Sequence, residues 1–386
     1  MQIQFNSDIK YVGVDDDTLD LFENQYPLPK GVSYKSYVIM DDVVAVMDTV
    51  DQRGQEMWEK NLLEVLNGRK VDFLVLQHLE PDHAGGIMRM LELFPQVVLV
   101  GNEKTFKMLS QFYTLPPQVN TLIVREGDKL SLGRHILHFF MAPMVHWPEV
   151  MVTYDSTEKV LFSADAFGKF GALSLTEEEG WACEARRYYF NIVGKYGAAV
   201  QNLLQKVAAL EVECVCPLHG PVLREGLKNY INLYKIWSSF QPESKGVVIA
   251  YASIYGNTAR VAKVLAEILE KKGIRYRLHD LVRADMSQVV SDAFRYDKLV
   301  LAASSYDGGV FPAMEAFLHH LKSKAFQKRK VALIENGSWQ PSAARTMRSI
   351  MESMKDLEIL EPVVTVFSAL KKENVEVLEE LAEHLQ

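Results

Sequence analysis

Short apolar runs rich in β-branched residues alternate along this chain with stretches whose apolar positions recur at helical spacing. SYKSYVIMD (33–41) and VVAVMDTV (43–50) read as strands of a hairpin or meander that opens a sheet. A helix-like stretch at 57–66 leads to the apolar strand VDFLVL (71–76), a polar loop QHLEPDHAGG (77–86), and IMRMLELF (87–94), whose spacing predicts a helix. VVLVGN (97–102) followed by KTFKMLSQFY (104–113) repeats the strand, loop, helix order. From 122 to 143 polar and apolar residues alternate, which predicts two or three antiparallel strands with His135 and His138 as structural members. VMVTYDST (150–157), KVLFSADAFG (159–168) and ECVCPLHGPV (213–222) supply further apolar strands.

The pattern restarts after QPESKG (241–246), a polar stretch with proline and glycine that follows the helix-like NYINLYKIWSSF. This places a boundary there and divides the chain into 1–244 and 245–386. A length of 386 residues agrees with two domains, since one core rarely grows so large. VVIAYA (247–252), a small-residue loop, and the amphipathic TARVAKVLAEILEKKG begin a strand–loop–helix repeat. KLVLAASSYDGGVFP (298–312) and KVALIENGSWQP (330–341) are later strands of it, each running into a small polar loop.

Composition narrows the function. A net charge of −8 argues against nucleic acid or an anionic membrane as partner. No apolar run approaches the roughly 18 residues of a membrane span, and MQIQFNSDIKYVGVDDD has no secretory signal character. Three cysteines, Cys183, Cys214 and Cys216, cannot all pair, which points to the reducing cytoplasm. Cys214 and Cys216 lie two apart in an apolar run and read as buried strand positions.

Chemistry concentrates where strands end. His78, Glu80, Asp82 and His83 fall within six positions between a strand and a helix, the usual place for a ligand site in an α/β sheet. In extended chain the first three point to one side, and the following turn brings His83 beside them. His146, Asp165 and His219 each follow an apolar strand, so the ends of one sheet are expected to gather all seven. Four imidazoles and three carboxylates are too many for one ion and enough for two if one carboxylate bridges. A shell of nitrogen and oxygen without thiolate suits iron, manganese or zinc, and its carboxylate content favours iron.

The spacing of these seven residues resembles the metallo-β-lactamase-like superfamily. Its zinc hydrolases carry histidine where this chain has Glu80, and that difference is similar to the flavodiiron proteins, or A-type flavoproteins. In the second half, Ser253, Ile254, Tyr255, Gly256, Asn257 and Thr258 form a loop at a helix N-terminus, suited to a phosphate. Ser304, Ser305, Tyr306, Asp307, Gly308 and Gly309 form a second loop, and Asn336, Gly337, Ser338 and Trp339 a third. Together these resemble a flavodoxin-like domain in which one loop holds the FMN phosphate and the others flank its ring, with Tyr306 and Trp339 as ring neighbours.

The resemblance implies an α/β chain: a metallo-β-lactamase-like αββα sandwich followed by a flavodoxin-like doubly wound parallel sheet. It implies a reductase passing electrons from FMN to two irons, where O2 is reduced to water or NO to N2O. One iron would be held by His78, Glu80 and His146, the other by Asp82, His83 and His219. Asp165 and a solvent oxygen would bridge them. It further implies a rubredoxin or similar electron donor, a head-to-tail homodimer or dimer of dimers, and Tyr196 as a hydrogen-bonding residue near the pocket. Many relatives carry a histidine near the position of Asn24 or Gln25, and this chain has none. No rubredoxin-like CxxC pair follows, which suggests the two-domain class. The rival readings are a zinc metallohydrolase fused to a flavodoxin domain, and an electron carrier whose metal is only structural.

Overall fold

The computed structural model describes residues 8–176 and 180–386, which fall into two compact units, Met1–Lys235 and Ile236–Gln386. The division lies inside the helix Leu227–Ser238, earlier than the boundary composition suggests at 244/245. The two markers register different things: composition changes at the first polar stretch, whereas Trp237 on the helix already donates its indole N–H to Glu243 at 2.9 Å.

The first unit is a sandwich of two mixed sheets. One runs in the order Ile9–Tyr11, Tyr37–Met40, Val44–Met47, Phe73–Val75, Val98–Gly101 and Asn120–Ile123. Its first three strands pair antiparallel and the rest parallel. The other holds Lys129–Ser131, Ile136–Met141, Met151–Asp155, Val160–Phe162 and Cys214–Cys216, antiparallel except for the last pair. Their facing sides make one core: Ile39, Met47, Val75 and Val100 from the first sheet meet Phe139, Met151, Phe162 and Cys216 from the second. Burying each such large side chain contributes about 1.5–3 kcal/mol. Helix Gln55–Leu66 buries Trp58, Leu62 and Leu66, spaced for one face.

The alternation over 122–143 does not yield only antiparallel strands. Asn120–Ile123 lies parallel to Val98–Gly101 in the first sheet, and only Lys129–Ser131 and Ile136–Met141 pair antiparallel. Period-two patterning specifies which side chains face the core but not which strand lies alongside. His135 and His138 are structural here: the first meets Asp155 at 2.8 Å and the second Ser156 at 3.1 Å.

The second unit is a parallel sheet with strands in the order Tyr276–Asp280, Ser244–Ala252, Tyr296–Tyr306, Arg329–Asn336 and Leu357–Ile359. In chain order this is 2-1-3-4-5, a doubly wound arrangement whose switch point lies between its first and third strands. Helix Asn257–Lys271 packs Val261, Leu265, Ile268 and Leu269 onto that sheet. Ser304, Ser305 and Tyr306 complete the strand Tyr296–Tyr306 instead of forming a loop. Tyr306 pairs with Gly309 across a two-residue turn, with Asp307 and Gly308 at φ of 46° and 74°. The Asp-Gly pair accounts for the hairpin, because both positions of that turn need positive φ. No helix among the described residues is long and apolar enough to cross a membrane.

Candidate metal centre and cofactor cleft

After the strand Phe73–Val75 the chain bends at Gln77, and Pro81 then opens a one-turn helix, Pro81–Ala84. Asp82 and His83 therefore sit on a helix, not in one extended row with His78 and Glu80. Gly85 lets this turn close against its neighbour: a Cβ there would lie 2.5 Å from the Gln52 nitrogen and 2.8 Å from the Val50 carbonyl. His146 lies between Ile136–Met141 and Met151–Asp155, Asp165 beyond Val160–Phe162, and His219 beyond Cys214–Cys216. The gathering residues thus come from the ends of both sheets of the sandwich, not from one sheet.

The seven residues form two groups. In the first, His78 Nε2 lies 3.3 Å from Glu80 Oε2 and 3.2 Å from Asp165 Oδ2, and His146 Nε2 lies 2.9 Å and 3.2 Å from the same two oxygens. In the second, Asp82 Oδ2 lies 3.3 Å from His83 Nε2 and 3.2 Å from His219 Nε2, and these two nitrogens are 3.1 Å apart. Asp165 turns its other oxygen, Oδ1, toward this second group, 3.5 Å from His83 and 3.7 Å from His219. Metal–ligand bonds of about 2.0–2.2 Å give polyhedron edges of about 2.8–3.6 Å, and nearly all these separations fall in that range.

The protons argue for a cation. His78 Nδ1 faces the buried Glu149 carboxylate at 2.8 Å and His219 Nδ1 faces the Ser33 carbonyl at 2.9 Å, so each carries its proton there. Their Nε2 lone pairs are then aimed at carboxylate oxygens, an unfavourable contact without positive charge between them. Burial lowers the pKa of His78, yet the carboxylates of Asp165, Glu149 and Glu80 prevail and hold it well above its ordinary value. Burial is likewise overcome at His146, where Asp165 and Glu80 push the pKa up to about 9. Asp165 is held well below the usual carboxylate range: burial opposes ionisation, and His78, His146 and His83 outweigh it. Both Asp82 oxygens, His83 Nδ1, His146 Nε2 and Asp165 Oδ2 are buried without a hydrogen-bond partner among the described residues. Each such orphan costs about 1–3 kcal/mol unless something else satisfies it. Two cations, one per group with Asp165 between them, fit this donor set.

Sequence reasoning missed the residues that orient these ligands. Glu149 is fully buried three positions after His146, and besides His78 it accepts the Leu79 N–H at 3.0 Å. Its signal was a lone carboxylate in the otherwise apolar HWPEV. Tyr188, also fully buried, donates its hydroxyl to Asp165 Oδ1 at 2.9 Å. No spacing marks it, since only the tertiary fold brings its helix to the site. Tyr196 ends a short 3-10 turn, with the Lys195 ammonium 5.7 Å from its ring. Near Asn24, the hairpin of Leu21–Phe22 and Tyr26–Pro27 sets the Phe22 ring edge-on to His219, centroids 5.4 Å apart.

The second unit opens a cleft of about 540 Å³ at its switch point. Its walls are Ser253, Ile254, Tyr255, Asn257 and Thr258; Ser304 to Gly308; and Asn336 to Trp339. Gly256 and Gly309 are not wall residues; Gly256 caps helix Asn257–Lys271 at φ 91°. Gln340, Ser342, Arg345 and Ser368 complete the lining and were not anticipated. Thr258 and Ser304 join hydroxyls at 2.8 Å, and Ser305 Oγ accepts the Ser342 and Ala343 N–H groups at 2.8 and 3.2 Å. Tyr255 and Trp339 are 94% and 89% exposed at the mouth. A helix N-terminus without a side-chain cap and aromatic faces left in solvent fit a phosphorylated, planar cofactor.

Residues 32–220 match the ODP family beta lactamase and residues 249–363 match flavodoxin. The chain is 28% identical to a nitric oxide reductase of Moorella thermoacetica, covering 93% of this chain and 91% of that protein. It is 29% identical to putative diflavin flavoprotein A 2 of Synechocystis, over 89% of this chain but 60% of that longer protein. Among solved structures, the rubredoxin oxygen:oxidoreductase of Desulfovibrio gigas superposes with a TM-score of 0.92 at 25% identity, covering 100% of this chain and 98% of the other.

Proposed function

We propose a function from the premise that this chain belongs to the flavodiiron proteins, carrying their β-lactamase-like domain and then their flavodoxin domain. It is an oxidoreductase in which FMN supplies electrons to a pair of iron ions that reduce O2 to water, NO to N2O, or both. The observation that carries this reading is Asp165, whose two oxygens face two separate groups of ligands.

His78, Glu80 and His146 would hold one ion, Asp82, His83 and His219 the other, with Asp165 shared. Three carboxylates nearly offset two divalent charges, which leaves a centre suited to a neutral diatomic molecule. Around His219 the walls are aromatic: Phe22, Tyr34 and Tyr188 lie at centroid distances of 5.4, 6.0 and 5.4 Å. Such a lining favours an apolar gas over a charged, hydrolysable substrate. Burial and the charge of Asp165 keep the Tyr188 hydroxyl protonated far above its ordinary pKa, so it remains a donor to Asp165. In the second unit, Ser253, Asn257 and Thr258 would take the FMN phosphate, and Tyr306 and Trp339 would flank its ring.

The names of relatives support a rubredoxin-type donor and O2 or NO as substrate; free cysteines suit the cytoplasm. We extend the proposal to the head-to-tail dimer that the family resemblance implies; a monomer with undiminished turnover would contradict it. The deciding experiment is anaerobic turnover with each gas, electrons supplied through a rubredoxin, on protein assayed for two irons and one FMN per chain. Gas consumption at the metal is expected. Protein so loaded that consumes neither gas would overturn the proposal, as would purified protein that holds two zincs in place of iron and hydrolyses an ester or lactam.

A further inference from the structure

The two groups of ligands have the same inventory, two imidazoles, a carboxylate and one oxygen of Asp165, but their surroundings differ. Behind His78 stands a buried carboxylate, Glu149, at 2.8 Å from Nδ1. Behind His219 stands a neutral carbonyl, that of Ser33, at 2.9 Å, and His83 Nδ1 has no partner among the described residues. A carboxylate behind an imidazole makes it a stronger donor and fixes its ring, whereas a carbonyl does the second and less of the first.

Asp165 is shared unequally as well. Oδ2 lies 3.2 Å from both His78 and His146 and accepts no hydrogen bond among the described residues, so its electron density is committed to the first group. Oδ1 lies farther from its imidazoles, at 3.5 and 3.7 Å, and also accepts the Tyr188 hydroxyl. The donated proton withdraws charge from the oxygen that faces the second group. Neither observation depends on the other, and both weaken the same half.

Resting on the diiron reading above, we infer that the two metal positions are unequal by construction: the His78–Glu80–His146 half is the tight one, and the Asp82–His83–His219 half releases its metal first. Glu149 is the positioning residue that sets the difference. The chain would accordingly pass through a one-metal form, with the ion in the Glu149-backed half, during both loading and loss.

The test uses the flavin-loaded protein with two ferrous ions, challenged anaerobically with excess ferrous chelator. Iron release is followed by the colour of the chelate, and flavin absorbance reports that the chain stays folded. Two phases of one iron each are expected. Glu149→Gln should accelerate the slow phase about 10- to 100-fold, the usual effect of losing an outer partner, and leave the fast phase unchanged. His83→Gln should yield protein with one iron, released at the wild-type slow rate, so the inference stays testable if the Glu149 variant fails to fold. Two irons leaving wild type in one phase would overturn the inference. So would a Glu149 variant altered only in the fast phase, or a His83 variant that holds no iron. A wild-type chain that never takes up two irons per flavin would instead contradict the diiron reading itself.

Discussion

Replacing Asp165 with asparagine changes one oxygen to an amide nitrogen, and the structure says which. Tyr188 donates to Oδ1 at 2.9 Å, so the amide must present its carbonyl there and turn its NH2 toward His78 and His146, 3.2 Å away. An amide nitrogen with two hydrogens cannot ligate a metal. The first group thus loses an anionic oxygen and gains two donors, while the second keeps only a neutral carbonyl. Loss of an outer partner alone costs 10- to 100-fold in metal affinity, and removing a direct ligand should cost at least about 100-fold, or about 2.7 kcal/mol. The assay is iron per flavin after desalting, followed by gas consumption. Flavin content should be unchanged, since the cleft is built from residues of the other unit, and this separates loss of metal from loss of fold. Asp165→Asn protein that retains two irons and turns over at the wild-type rate would refute the bridging geometry.

Three further outcomes follow from other contacts. Gly85→Ala puts a Cβ within 2.8 Å of two backbone atoms, so unfolding free energy should fall by about 1–3 kcal/mol, measured by denaturant midpoint, with iron content falling too. Trp339→Ala removes an exposed aromatic face from the cleft mouth, and FMN affinity should weaken about two- to twelve-fold by fluorescence titration, the worth of one aromatic contact. At His135, burial is overcome by Asp155 and Asp8, and the folded pKa lies above the ordinary 6.5. Its contribution to stability is therefore complete below pH 6.5 and lost as pH rises through the raised value. The difference in thermal midpoint between wild type and His135→Gln should shrink along that rise, and a constant difference would contradict the ion pair.

Much of this was legible in the residues. His78, Glu80, Asp82 and His83 are readable because chemistry and turn residues crowd into one short loop, and His146, Asp165 and His219 because each follows an apolar run. Which sheet each run joins was not legible. A strand's pattern records the face it buries, so Asn120–Ile123 looked like a partner of the strands after it and lies in the opposite sheet. The hairpin at Asp307–Gly308 was hidden because serines read as loop, although here their backbone completes a ladder. Glu149 and Tyr188 escaped for a plainer reason. A carboxylate beside a proline and a tyrosine on a helix are ordinary surface or core residues until the fold supplies His78 and Asp165 as neighbours.

The hydroxyl of Ser305 ties the second segment of the cleft to the start of the helix Ala343–Glu352 by taking the amide protons of Ser342 and Ala343. Separating those walls would cost both bonds, about 1–3 kcal/mol together, so this side of the cleft is held in place before a cofactor enters. A ring analogue of normal width should bind without incurring that cost. One with a bulky edge substituent should bind more weakly, because room for it is made only by breaking those bonds.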